Sequence, residues 1–301
     1  MTTKEVSTLW MHGGAWKMTD ENFPLENIGA QSVDRALALL SLIGRSAVEG
    51  VGLSTIVQDT GLSRPTARRL LLALMRARMV EQDTASRHYF LGEETYVLGV
   101  LAAQRFDLMD LTRNSLVDLA ALSGDSVFLS VRRDSFSVCL HKEEGAFPIR
   151  THALQVGYRH PLGVGAGSLA ILSALPAEER AEILSRNTDI LAQNFPDCSP
   201  EALKPLIIQA IERGYSLNPG LVLTSSWAVG AAFKIPGGRV AGAISIAAID
   251  SRMGPERQAE LGAALLLETA KIEARMAKTF ALSKSTDLPR HRTQFSAAAK
   301  G

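Results

Sequence analysis

The spacing of apolar residues predicts three short helices in the first third of the chain. Residues 1–30 show no sustained period and are expected to form an arm with little structure of its own. Apolar residues then recur at helical spacing over 31–43, which predicts a helix that ends at Gly44. A second helix is predicted over 53–59, followed by a tight turn at Gly61.

A third helix is predicted to begin after Ser63, a residue suited to capping, with Pro65 in its first turn. At about 100° per residue, its apolar positions share one sector and are expected to face the core. These positions are Ala67, Leu70, Leu71 and Leu74. The outward positions are Pro65, Arg69, Leu72 and Arg76, with Thr66 and Arg68 on the flanks. This order of short helix, turn and arginine-bearing helix is typical of a helix-turn-helix, whose second helix enters the major groove of DNA.

Two short strands around a polar tip are predicted next, over 79–81 and 88–91, which is the pattern of a wing. Charge is concentrated in the same region. Between Gly61 and Phe90 six arginines face two acidic residues, although the whole chain has a net charge of only +1. Such a local basic block favours contact with nucleic acid. The alternative is a plain three-helix bundle whose arginines are merely solvated.

The rest of the chain has an α+β order with a mainly antiparallel sheet. Helices are predicted over 96–103, 108–122, 165–175, 177–185, 200–213 and 255–280, and strands over 126–131, 136–141, 148–152, 228–235 and 240–249. The expected segments are an arm (1–30), a winged helix-turn-helix domain (31–94), a helical linker (95–123), a second domain (124–281) and a disordered tail (282–301).

Composition indicates a folded protein of the cytoplasm. With 46% hydrophobic and 21% charged residues, the chain is close to the globular average. Its two cysteines cannot form a disulfide framework, which favours a reducing compartment. We expect neither a secretory signal nor a transmembrane segment, because no suitable apolar run is present.

Several motifs carry a family resemblance between about Gln31 and Phe280. They are QSVDRAL at 31–37, GLSRPTARRLL at 61–71, YFLG at 89–92, PLGVGAG at 161–167, RGY at 213–215, GGRVAGAIS at 237–245 and SRM at 251–253. Together they resemble the IclR-type bacterial transcriptional regulators. The resemblance implies a winged helix-turn-helix joined by a helical linker to a GAF-like domain, an antiparallel sheet flanked by helices that binds a small effector. It also implies a homodimer or tetramer.

The resemblance and the helix pattern together imply two sites. Double-stranded operator DNA is expected to contact Ser54, Ser63, Arg64, Pro65, Thr66, Arg68, Arg69, Arg76 and Arg87. A small organic acid or aromatic effector is expected to contact Arg150, Gly165, Ala166, Gly167, Asn218, Trp227 and Ser245. An inward Arg150 would need an anion, and an outward position is the alternative. The family's commoner pattern has a polar His-x-Thr where this chain has Gly163 and Gly165.

Motifs for other chemistry are incomplete. The His-Gly-Gly at 12–14 is similar to an oxyanion-hole segment, but no G-x-S-x-G nucleophile elbow occurs in the chain. The glycines at 163–167 follow no βαβ pattern, so a dinucleotide site is not indicated. The six histidines include no metal-binding spacing, and Cys139 fits a core strand. We therefore expect no catalytic residue, metal or cofactor. The competing hypothesis is a GAF-like binding module or enzyme without DNA binding.

Overall fold

The computed structural model describes residues 31–46, 49–103, 108–150 and 153–285. The predicted arm lies outside these residues, as does most of the predicted tail. Two compact units are present. The first reaches Leu108 and includes Val156–Tyr158, and the second comprises Met109–Gln155 and the chain from Arg159 onward. The division between them falls inside the predicted linker.

The first unit is a winged helix-turn-helix. Its elements are α1 (Gln31–Arg45), α2 (Leu53–Thr60), α3 (Arg64–Arg76), β1 (Val80–Gln82) and β2 (Tyr89–Leu91). The prediction that Gly44 ends α1 is wrong, because the helix continues through it to Arg45. The core is formed by apolar residues of all three helices and both strands: Leu39, Ile43, Val51, Ile56, Ala67, Leu70, Leu71, Leu74, Val80 and Tyr89.

Two helices follow the wing, α4 (Glu93–Ala103) and α5 (Leu108–Ser123). Both were predicted. Helix α4 buries none of its residues within the described chain. Its large apolar side chains are between 44% and 76% exposed: Tyr96, Val97, Leu98, Val100 and Leu101. This helix therefore presents an apolar surface that nothing in the described chain covers.

The second unit is built on an antiparallel sheet. Its strands are β3 (Ser126–Arg133), β4 (Phe136–Glu144), β5 (Arg159–Pro161), β6 (Ser216–Pro219), β7 (Ser226–Lys234) and β8 (Val240–Ile249). Within the described residues their order is β5-β4-β3-β8-β7-β6. The expected Gly-rich hairpin turn joins β7 to β8, with positive φ at Gly237 and Gly238.

One predicted strand is not formed by the described residues, and two observed strands, β5 and β6, were not predicted. Residues 148–150 form no strand, and Ile149 is 56% exposed. Residues 151–152 lie outside the described chain. The partner of β4 at this edge is β5 instead, with Phe136 opposite Pro161. Strand β6 was missed because its short sequence, Ser-Leu-Asn-Pro, has no strong strand pattern.

The second unit also contains helices, of which the first and the last two pack against the sheet. They are α6 (Ala166–Ser173), α7 (Ala177–Arg186), α8 (Thr188–Asn194), α9 (Pro200–Arg213) and α10 (Pro255–Ser285). Helix α8 was not predicted, and α10 extends four residues into the segment expected to be a disordered tail. All residues of α6 are buried. The helix lies so close to β7 that a Cβ atom on Gly230 would come within 2.8 Å of the Ala166 carbonyl carbon. No described helix is both long and apolar enough to cross a membrane.

A buried ion-pair cluster fixes the start of this domain. The carboxylate of Asp125, which follows α5, is 2% exposed. It accepts hydrogen bonds from Arg252 and Arg257 at 3.0 Å each. Both arginines also donate to the carbonyl of Ser123. The cluster thereby ties the end of α5 to the segment that follows β8, through Arg252, and to the first turn of α10, through Arg257.

Candidate DNA-binding surface and effector pocket

The turn between α2 and α3 has the geometry of a helix-turn-helix. Gly61 ends α2 in the left-handed conformation, with φ 65° and ψ 6°, and donates its N–H to the Val57 carbonyl. The Thr60 hydroxyl donates to the carbonyl of Ile56 at 2.6 Å and accepts from the Leu62 N–H at 3.3 Å. These bonds satisfy backbone groups in the turn and fix the direction in which α3 starts.

Ser63 caps α3 as the sequence indicates. Its backbone is extended and its Oγ accepts a hydrogen bond from the N–H of Thr66 at 3.4 Å. The hydroxyls of Ser63 and Thr66 lie 2.8 Å apart. Two predicted site residues are therefore engaged with each other at the beginning of the helix.

The sides of α3 divide as the periodicity predicts. Ala67, Leu70, Leu71 and Leu74 are buried. Pro65, Arg68, Arg69 and Arg76 are exposed, as is Arg64. Among the described residues, no acidic side chain pairs with any of these four arginines. Their charge is therefore available to a partner outside the chain.

The wing is a two-stranded antiparallel ribbon in which Glu81 lies opposite Phe90. The Asp83 carboxylate accepts from the N–H and the hydroxyl of Ser86, and these hydrogen bonds lower the pKa of Asp83. Arg87 has a positive φ of 62°. Its carbonyl accepts from the side chain of Gln82 at 2.8 Å. The tip is thus held by local bonds that leave the Arg87 guanidinium exposed.

A groove runs between α3 and the wing, and we call it the α3–wing groove. It contains about 980 Å³ of space, open solvent included. Four predicted DNA-binding residues line it: Ser54, Arg64, Arg68 and Arg87. Arg69, Arg76 and Pro65 do not line it. The structure thus separates the arginines of α3 into two groups.

A pocket in the second domain lies between the sheet and the beginning of α6. It contains about 530 Å³ of space, open solvent included. Five predicted effector-binding residues line it: Gly165, Ala166, Gly167, Asn218 and Ser245. The pocket is concave and mainly apolar with a few polar groups, which is the usual form of a small-molecule site.

The beginning of α6 gives the pocket a positive end. Gly165 precedes the helix with φ 81°, and no side chain in the described part of the chain caps it. The N–H groups of Ala166, Gly167 and Ser168 have no acceptor among the described residues. Such groups at a helix N-terminus attract acceptor atoms and negative charge. A Cβ atom on Gly167 would lie 3.3 Å from Ser245 Oγ and 3.6 Å from Ser130 Oγ, so a side chain at this position would crowd the Ser245 hydroxyl.

Comparison with known protein families explains the combination of these two sites. A model of the IclR helix-turn-helix domain matches residues 32–84, and a model of the IclR C-terminal domain of bacterial transcriptional regulators matches residues 100–274. The chain belongs to the IclR family. It is a DNA-binding transcriptional regulator.

Individual IclR relatives align over most of their length. The transcriptional regulator KipR of Bacillus subtilis is 27% identical over 75% of this chain and 89% of its own. The glycerol operon regulatory protein of Streptomyces coelicolor is 31% identical over 62% of this chain and 72% of its own. A crystal structure of an IclR homolog from Microbacterium hydrocarbonoxydans, complexed with 4-hydroxybenzoate, has a TM-score of 0.67 at 19% identity. It covers 82% of this chain and 99% of that one.

Two predicted residues lie outside the pocket of this IclR-family protein. Trp227 is flanked along β7 by Ser226 and Ala228, which both line the pocket. Since side chains alternate along a strand, Trp227 faces the other way. Arg150 forms an ion pair with Glu144 and donates to the carbonyl of Gly145. Of the two orientations considered for Arg150, the structure has the outward one, because its charge is paired with Glu144 outside the pocket.

Polar pocket residues that the sequence did not suggest are mainly serines. Ser130, Ser137, Ser168 and Ser226 line the pocket together with His160. The hydroxyls of Ser130, Ser137, Ser226 and Ser245 have no hydrogen-bond partner among the described residues. Burial lowers the pKa of His160 to about 4, so its ring is neutral at pH 7. The pocket is therefore lined by hydrogen-bonding groups without formal charge.

Cys139 lies beside this site but has the properties of a core residue. It is buried in β4, and burial raises the pKa of its thiol to about 12. A thiol that remains protonated at neutral pH is a poor nucleophile.

Proposed function

We propose that α3 and the wing bind double-stranded operator DNA in the cytoplasm. We also propose that a small organic effector in the α6 pocket changes this binding to control a catabolic operon. The observation that carries the proposal is the set of arginines on α3 and the wing without acidic partners among the described residues, in a unit with helix-turn-helix geometry. The proposed DNA contacts are Ser54, Ser63, Arg64, Pro65, Thr66, Arg68, Arg69, Arg76 and Arg87.

The DNA-binding species is proposed to be a homodimer or a dimer of dimers. Helix α4 supports this, since its apolar side chains are exposed within the described chain. A second copy of the same helix supplies a matching surface, because two-fold interfaces are self-complementary. A two-fold protein contacts two half-sites about one helical turn of DNA apart. The operator is then expected to be a near-palindrome.

The effector is proposed to be a small organic acid or aromatic compound. No charged side chain of the described residues lines the pocket, so the N–H groups of Ala166, Gly167 and Ser168 would hold a carboxylate or carbonyl oxygen. Serine hydroxyls and Asn218 would complete the hydrogen bonds, and Phe128 offers an apolar wall. The bound 4-hydroxybenzoate of the Microbacterium protein belongs to this chemical class. By binding one dimer arrangement more tightly, such an effector would shift the population between arrangements.

The test measures DNA binding and its response to effectors. Fluorescence anisotropy of the full chain is recorded with a duplex from the region upstream of its own gene and with an unrelated duplex of equal length. We expect tighter binding to the upstream duplex and a change in affinity with one member of a panel of small acids that includes 4-hydroxybenzoate. Equal, weak binding to both duplexes would instead support the GAF-like module without operator recognition.

A further inference from the structure

We propose that the α3–wing groove holds the sugar-phosphate backbone of one DNA strand, with Arg64, Arg68 and Arg87 contacting its phosphates. Arg69, on the adjacent side of α3, is then the arginine that contacts base edges. The inference rests on the proposed DNA binding. It assigns a phosphate contact to Arg68 and a base contact to its neighbour Arg69. The geometry of α3 separates them.

The positions along α3 form three sectors. At about 100° per residue, Arg68 lies about 40° from Arg64 around the helix axis, and Arg69 lies about 140° from it. The positions of Leu71, Leu72 and Met75 fall within about 80° of Arg64. These three residues line the groove together with Arg64 and Arg68. The groove is therefore bounded by one continuous side of the helix.

The second sector of α3 points away from both the groove and the core. It contains Pro65, Arg69 and Arg76, which lie between about 100° and 140° from Arg64. None of the three lines the groove, and all are exposed. Residues near the N-terminus of a recognition helix are the ones that reach base edges. Pro65 cannot donate a hydrogen bond through its side chain, and Arg76 lies in the last turn, so Arg69 remains for base contact.

The charge of the groove suits a polyanion. Among the residues that the structure describes, three arginine side chains line it and no acidic residue does. Arg64 and Arg68 are one helical turn apart, about 6 Å along the axis. A DNA strand carries one negative charge per ~3.4 Å of helix axis, so the two guanidinium groups can contact different phosphates. The wing supplies Arg87 from the opposite side of the groove.

The remaining groove residues are also compatible with a phosphate backbone. Gly52, Leu53 and Ser54, at the start of α2, line the groove, and no described side chain caps this helix. The partial positive charge of a helix N-terminus favours an anion there. Ser86, His88 and Gln82 add uncharged or weakly basic polar groups from the wing. Leu72 provides an apolar surface that a deoxyribose ring can contact.

The experiment compares the salt dependence and the sequence preference of arginine variants. Dissociation constants of the full chain are measured at several salt concentrations on the upstream duplex and on the unrelated duplex of equal length. Arg64→Ala, Arg68→Ala and Arg87→Ala should each weaken binding to both duplexes and reduce the salt slope by about one unit. The ratio of the two affinities should not change. Arg68→Lys should restore most of the lost affinity, because a phosphate accepts a point charge.

Arg69→Ala should behave differently and lower the ratio of specific to non-specific affinity by roughly fivefold or more. Arg69→Lys should not restore it fully, because Lys does not reproduce the planar fork of a bidentate contact. Arg239→Ala is the matched control. It removes the same charge from an exposed turn of the other domain and should change neither quantity.

Two results would contradict the assignment and leave the proposed function intact. One is a loss of sequence preference in Arg68→Ala with an unchanged salt slope. The other is unchanged binding to the unrelated duplex in all three groove variants. If the wild-type chain itself does not prefer the upstream duplex at any salt concentration, the proposed function fails instead, and the groove assignment fails with it.

Discussion

Replacing Gly167 with alanine is expected to weaken effector binding while the fold is retained. Gly167 is the second residue of α6 and lines the pocket. Its new methyl group would lie 3.3 Å from Ser245 Oγ and 3.6 Å from Ser130 Oγ. Both neighbours are hydroxyl groups without partners among the described residues, so they can rotate away. The methyl group therefore enters the space of the ligand and does not displace backbone.

The expected magnitudes follow from these distances. Alanine is favoured over glycine inside a helix by up to about 1 kcal/mol, and this offsets the slight crowding. The free energy of unfolding should stay within about 1 kcal/mol of wild type. Overpacking a filled site costs about 1–3 kcal/mol, which corresponds to a roughly 5- to 150-fold weaker effector affinity.

The assay records thermal unfolding without effector and the effector concentration that gives half of the change in DNA affinity. Gly44→Ala is the matched control, since it also places a methyl group in a helix. That group would meet Leu91 at an ordinary 3.5 Å, far along the chain from the pocket residues. An unchanged half-effect concentration in Gly167→Ala would show that the effector binds elsewhere. Unfolding of Gly167→Ala would show that the space beside the serines is not free.

Three further outcomes are expected. Asp125→Asn removes the negative charge from two arginine partners and should lower the free energy of unfolding by about 3 kcal/mol in denaturant titration, whereas Glu182→Gln in an exposed pair should cost less than about 1 kcal/mol. Burial holds the pKa of His160 near 4, below its ordinary value of 6.5. Between these two pH values, the unfolded chain therefore binds a proton at this residue and the folded chain does not. Stability should therefore fall as pH drops from 6.5 to 4, by up to about 1.4 kcal/mol per pH unit, and His160→Gln should remove that part of the slope. Ser63→Ala should cost about 1 kcal/mol through the lost cap, and a thermal shift of zero would argue against the cap.

The sequence was most informative where one local rule decides the structure. The helical period alone identifies the four buried positions of α3, and Ser63 and Pro65 mark where it begins. The two wing strands follow from short apolar runs around a polar tip. In each case the interactions that determine the structure join residues close together in the chain. The apolar pattern and the residue propensities are therefore enough to predict it.

The pocket residues were harder to predict from the sequence, because they come together only through strand pairing. A serine in a strand has no distinctive pattern. Ser130 and Ser245 become neighbours only because β3 pairs with β8, where Phe128 lies opposite Ser245. The orientation of Trp227 depends on the register of β7, which the sequence does not reveal. The segment at 148–152 has strand-like alternation, but β5 occupies the position beside β4.

Helix α4 has a consequence for how the protein responds to dilution. Its 11 residues are fewer than the 12 to 15 that an isolated helix needs to be even marginally stable in water. Burial against the described chain does not supply the missing stability, since none of its residues is buried there. If a second copy of the chain covers α4, the helix is stable only in the associated subunits. Folding of α4 and association of the subunits are then coupled in a single equilibrium. The far-ultraviolet circular dichroism of the protein should then depend on its concentration, and the segment should become sensitive to proteases below the dissociation constant of the dimer.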